Sequence, residues 1–91
     1  MRHIAAMLCL LPAQALSQDL ICFDRTSLIA QLADRYGERQ TVRAMEDRGR
    51  MLEVYVGDAG GWTMVIVTPE LKACIVATGQ NWMMVAPGVA G

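Results

Sequence analysis

The chain has 91 residues, eight Lys and Arg against nine Asp and Glu, a net charge of −1 and 54% hydrophobic residues, with one histidine and three cysteines. This near-neutral balance, with basic and acidic residues interleaved and no basic run, argues against a nucleic-acid footprint or an anionic-membrane patch. The length leaves room for one small domain, and there are no internal repeats.

The N-terminus sets the compartment. Met1-Arg2-His3 precedes the apolar run Ile4–Leu11, Pro12 breaks that run, and the small residues of Ala13-Gln14-Ala15-Leu16-Ser17 follow. This order of a positive region, a short apolar region and a small-x-small site predicts a signal peptide over residues 1–17. The apolar run is shorter than the roughly 20 residues a bilayer span requires. Cleavage is read after Ser17, which starts the mature chain at the polar pair Gln18-Asp19, or in a second register after Ala15. The contrary reading is a buried N-terminal helix of a cytosolic domain. Asp19 and Ile21 before Cys22 do not suit a lipoprotein signal. The expected location is periplasmic or extracellular, with no transmembrane segment in the mature chain.

Processing removes His3 and Cys9 and leaves Cys22 and Cys74. Two cysteines in an oxidising compartment usually pair, so a Cys22–Cys74 disulfide is expected. A free thiol and an intermolecular bridge are the alternatives. A nucleophilic cysteine needs a neighbouring base, commonly histidine, and none remains. Two distant cysteines do not make a zinc site, which takes about four compactly spaced ligands.

The single domain is read over residues 18–82. Leu28, Ile29, Leu32 and Tyr36 recur at helical spacing, Asp24 or Thr26 can cap the start, and Gly37 sits where a left-handed residue ends a helix, so a helix is predicted near Thr26–Tyr36. Arg39–Met45 reads as a polar strand, and Asp47-Arg48-Gly49 as a hairpin turn. Met51–Val56 alternates: Leu52, Val54 and Val56 are assigned to the core face, and Met51, Glu53 and Tyr55 to the other. Gly57–Gly61 is a second turn. Trp62–Thr68 is apolar on both faces, as in a central strand covered on two sides or lying under a loop or a partner. Pro69-Glu70-Leu71-Lys72 is the third turn and Ala73–Thr78 the last clear strand. The assembled fold is α+β: one N-terminal helix on a three- to four-stranded antiparallel meander with a single disulfide. Cys74 is expected to point toward the helix, so that the bridge clamps the helix start to the last strand. Residues 83–91 have no period and are expected to fray as a tail.

From Cys22 to Trp82 the chain resembles a group of short exported bacterial proteins of uncharacterised function. The shared features are a cysteine before a helix ending in Tyr36-Gly37-Glu38, then Gly61-Trp62-Thr63, Ala73-Cys74-Ile75-Val76-Ala77, Gly79 and Trp82. The resemblance implies export and the disulfide, and transfers no activity. Those proteins tend to carry Asp-Gly after the proline of the third turn, where this chain has Glu70-Leu71. A glycine there adopts a left-handed backbone freely, and a leucine does not.

The acid–base candidates that survive processing are carboxylates: Asp24, Asp34, Glu38, Glu46, Asp47, Glu53, Asp58 and Glu70. Most lie at turns and helix ends, where solvated charge explains them, and so small a domain offers little concave surface for a substrate. Met45, Met51, Met64, Met83 and Met84 show no Met-x-x-Met spacing, and no histidine supports a copper site. No cofactor, metal or catalytic residue is expected. Trp62 and Trp82, if exposed, are the candidate anchors for an envelope protein partner, with Tyr55 and Met51 extending a partly exposed patch beside them; if buried, the commoner fate of such residues, they are core of the small sheet. The expected function is therefore a non-catalytic interaction module, or alternatively an inhibitor of an envelope enzyme that inserts the Gly57–Gly61 loop.

Overall fold

A computed structural model of the protein describes residues 20–88. The expected signal peptide and the last three residues of the expected tail lie outside the described residues. The elements in order are β1 (Ile21–Asp24), α1 (Arg25–Tyr36), β2 (Arg39–Met45), β3 (Met51–Val56), β4 (Trp62–Val67) and β5 (Lys72–Gly79). They form one five-stranded antiparallel sheet in the order β1-β5-β4-β3-β2, with the helix on one face. The α+β class and the meander stand, and the strand count is five rather than three or four. The added strand, β1, has only four residues, all exposed, too few to show an alternation in the sequence.

β1 and β2 occupy opposite edges of the sheet, so α1 crosses the sheet to join them. Asp24 caps the helix, its side chain accepting from the backbone N–H of Ser27 at 3.2 Å. Gly37 ends it at φ 64°, and the N–H groups of Gly37 and Glu38 return to the carbonyls of Ala33 and Leu32. Leu28 and Leu32 are buried against Tyr55, Val65, Val67 and Ala73, with Ile29, Met51 and Ile75 at the margin of that core.

The core reverses two facial assignments. The helix covers Met51, Glu53 and Tyr55 of β3, while Leu52, Val54 and Val56 lie on the face without the helix. The apolar trio was the natural choice for the core by alternation. That choice fails because Arg25 on the helix supplies the counter-charge that lets Glu53 enter the core (below). Cys74 likewise faces away from the helix, paired directly across the β1–β5 ladder with Cys22, to which it is bonded with a Cα–Cα distance of 3.9 Å. The bridge therefore joins β1 to β5 and holds the helix only through the chain at Asp24-Arg25. β5 carries a bulge at Val76. Val65 pairs with Ile75 but Met64 with Ala77, so Thr78 joins Thr63 on the helix side and Ala77 goes to the other.

The three hairpins share one geometry. Glu46, Gly57 and Thr68 each accept from the N–H three residues on, and each donates to the carbonyl one residue further. The residue before closure is left-handed in all three: Gly49 at φ 85°, Gly60 at φ 95° and Leu71 at φ 66°. Leu71 therefore takes the conformation that the resemblance assigns to glycine, at a cost of about 1–2 kcal/mol for an L side chain. Its side chain is 55% exposed, so little packing offsets that cost. We expect Leu71→Gly to raise stability by about 1 kcal/mol, the strain relieved less the added entropy of the unfolded chain. A denaturant melt with a higher midpoint and unchanged slope checks this.

Candidate functional site

Three groupings on this scaffold bear on function. The first is a polar network under the helix that the sequence did not reveal. Glu53 is completely buried on a central strand. Arg25 donates to both of its oxygens, Nε to Oε1 at 3.1 Å and Nη2 to Oε2 at 2.8 Å. The Tyr55 hydroxyl donates to Oε1 at 2.7 Å, and Arg43, its cross-strand neighbour, brings Nε within 3.3 Å of Oε2. Burial alone pushes the Glu53 carboxyl up, but the hydrogen bonds from Arg25 and Tyr55 and the two cationic charges outweigh it and hold the group below its ordinary value. Tyr55 is pushed up to about 12, first by burial and then by its bond to that carboxylate. Every acceptor position in this network is engaged, which marks it as a structural element. Arg25 opens the helix, where a cation opposes the macrodipole, so it is placed there for Glu53 and against local preference. That misfit was the one available sequence signal. Tyr55 and Met51 thus belong to the core side, and the patch expected to join them to the tryptophans does not exist.

The second grouping is the sheet face without the helix. The register places Val42 and Ala44 of β2, Leu52, Val54 and Val56 of β3, Trp62, Met64 and Ile66 of β4, and Ala77 and Cys74 of β5 on it. Charge appears at its ends, at Arg39, at the Glu46–Arg50 pair that closes the β2–β3 hairpin and at the Asp24–Lys72 pair. Among the described residues no second helix or sheet layer lies over this face. Leu52, Val56, Trp62, Met64 and Ile66 are accordingly half-buried, whereas the helix-side Val65 and Val67 are at most 1% exposed.

The two tryptophans meet at one corner of this face. Their rings lie 6.0 Å apart, tilted by 58°. Trp62 lies flat across Gly79 of β5, where an added Cβ would come within 2.7 Å of the indole, and its Nε1–H donates to the Gln80 carbonyl at 3.2 Å. Trp82 is fixed by its backbone N–H to the Gly60 carbonyl, and its indole N–H points to the Met84 sulfur. Both rings are half-buried: each is a wall of the fold and part of its surface. Beyond them Met83, Met84 and Val85 are exposed and form no strand or helix.

The third grouping is a cleft of about 320 Å³ where the end of α1, the base of the β3–β4 hairpin and the end of β5 converge. Leu32, Ile75 and Trp62 give it apolar walls, and Glu38, Thr63 and Gln80 its polar ones. The backbone return after Gly37 lays Glu38 across Gly57 and Gly61, where a Cβ at either position would come within 3.4 Å of its side chain. Thr63 Oγ1 donates to Glu38 Oε1 at 2.7 Å.

No known family model, curated protein or solved structure matches this chain. No helix among the described residues is long and apolar enough to cross a membrane.

Proposed function

We propose that the protein is a small exported interaction module that presents the helix-free face of its sheet to an apolar surface of an envelope protein. The observation that carries this is the direction of the sheet's apolar moment. β4 turns Trp62, Met64 and Ile66 away from the helix, and β3 turns Leu52, Val54 and Val56 the same way, so that all of these but the buried Val54 are left partly exposed. A two-layer α+β domain ordinarily turns its larger apolar residues to the helix and polar ones to solvent. A contiguous apolar surface with charge only at its ends is the pattern of a binding face. The Cys22–Cys74 bridge fits an oxidising compartment and so supports export. The inhibitor reading calls for a protruding loop. Gly57–Gly61 is a tight hairpin pinned by Trp82 and by Glu38, which favours the module.

The test is site-specific photocrosslinking in the native envelope. A photoreactive residue at Met64 or Ile66 should yield an adduct with another protein, and one at Ala30, on the exposed side of α1, should not. The adduct should disappear when Leu52 is changed to Lys in a variant that keeps its melting midpoint. Adducts that form equally from Ala30, or that contain only a second copy of the chain, would overturn this reading.

A further inference from the structure

The cleft at the end of the helix contains a buried carboxylate without a counter-charge. Glu38 is 7% exposed, yet it forms no ion pair with any described residue. Its Oε1 accepts from Thr63, and its Oε2 takes no hydrogen bond among the described residues. The two other acids drawn into the structure are treated differently: Glu53 meets Arg25 and Arg43, and Glu46 meets Arg48 and Arg50. A carboxylate largely withdrawn from water, with one neutral donor on Oε1 and an unpartnered Oε2 that solvent still reaches, has no protein counter-charge, and a cation beside Oε2 would supply one. No Lys or Arg lines the cleft. Its other walls suit the remainder of such a ligand: Leu32, Ile75 and Trp62 offer apolar surface for a methylene stem, and the Gln80 side-chain amide, beside Gly61 as Glu38 is, carries a further acceptor oxygen.

We infer that this cleft is a binding site for a primary ammonium or guanidinium group carried on a short aliphatic chain, with Glu38 Oε2 as its counter-ion. The chemistry is that of a lysine or arginine side chain and equally of a free aliphatic amine. The site shares Trp62 with the proposed partner face, but its carboxylate lies on the helix side of the sheet.

The experiment is an amide-resolved NMR titration of the exported, disulfide-bonded protein with matched probes. n-Butylamine should shift the amides of Thr63, Gly79 and Gln80 and the indole N–H of Trp62 saturably, and n-butanol should bind at least about tenfold more weakly, the difference one charged hydrogen bond makes. Glu38→Gln keeps the shape and the acceptor for Thr63 and should abolish the preference for amine over alcohol. A wild-type protein that binds both probes equally, or shows no saturable shift with the amine, overturns the inference without reference to any variant. Nα-Acetyl-lysine amide and 1,4-diaminobutane then separate the sources. Tighter binding of the first assigns the site to a side chain of a protein, and tighter binding of the second assigns it to a free amine.

Discussion

Replacing Arg25 by alanine should destabilise the protein by about 3–5 kcal/mol, because Glu53 would stay fully buried with its principal partner gone. Arg43 cannot take over. Its side chain is about half exposed, and it reaches only Oε2, at 3.3 Å. A domain this small has about 3–5 kcal/mol of stability in all, so Arg25→Ala should leave little or no cooperative thermal transition. Arg25→Lys keeps the charge but not the two-pronged contact, and should lie between the two. Replacing Arg25 and Glu53 together by Met and Leu removes both the charge and its need for a partner. That double variant should recover most of the loss, since a buried pair replaced by well-packed apolar groups is often neutral or better. A double variant no more stable than Arg25→Ala would show that the network positions the helix in a way apolar packing does not reproduce.

The same network sets the response to acid. Glu53 has its carboxyl held below the ordinary value in the folded state, so it contributes stability above its unfolded value near 4.5. That contribution fades as pH falls from there through the depressed folded value. Glu46, held down to about 2 mainly by the hydrogen bond from Arg50, acts in the same direction over the same window. Both groups therefore place the loss of stability below pH about 4.5 and predict none between pH 5 and 8.

The elements were legible because their signals are local. The boundaries of β2 and β3, the helix end at Gly37 and the positions of all three turns follow from alternation, helical spacing and turn residues within a few positions of each other. The facing of the strands was not legible, because it is decided by a pair far apart in the chain. Met51–Val56 offers one purely apolar set and one containing Glu53 and Tyr55, and only the presence of Arg25 across the helix makes the second set the better core. The disulfide was legible as a pairing but not as an orientation. Cysteine counting names the partners, whereas the face depends on the register between β5 and a strand too short to recognise. At the candidate site, Trp62 and Trp82 were found as residues, and their adjacency follows from Gly79. That glycine read as the end of a strand, yet its missing side chain is the floor on which the Trp62 ring rests. Glu38 was found only as one acid among several, because nothing local distinguishes a carboxylate laid across two glycines from one in solvent.

Removing both cysteines, as Cys22→Ala with Cys74→Ala, should cost about 4 kcal/mol. The bridge closes a loop of 52 residues, and the chain-entropy relation gives that figure for the unfolded state, within the 2–5 kcal/mol seen for native bridges of small domains. The structure adds a reason specific to this fold. β1 is an edge strand of four exposed residues bonded only to β5, so few other contacts hold it in place. It leads through Asp24, the helix cap, directly into Arg25. Freeing β1 therefore loosens the residue that neutralises Glu53, and the two losses overlap. The triple variant, with Arg25→Lys added as the milder change, should be less destabilised than the sum of its parts, a coupling measurable by a double-mutant cycle in the Leu71→Gly background with a stabilising osmolyte present so that every variant keeps a transition. Strict additivity would mean that Arg25 stays on Glu53 when β1 is released and that α1 is held by its own packing on Tyr55, Val65 and Val67. An unchanged melting midpoint after reduction of the wild-type protein would remove the bridge from the stabilising features altogether.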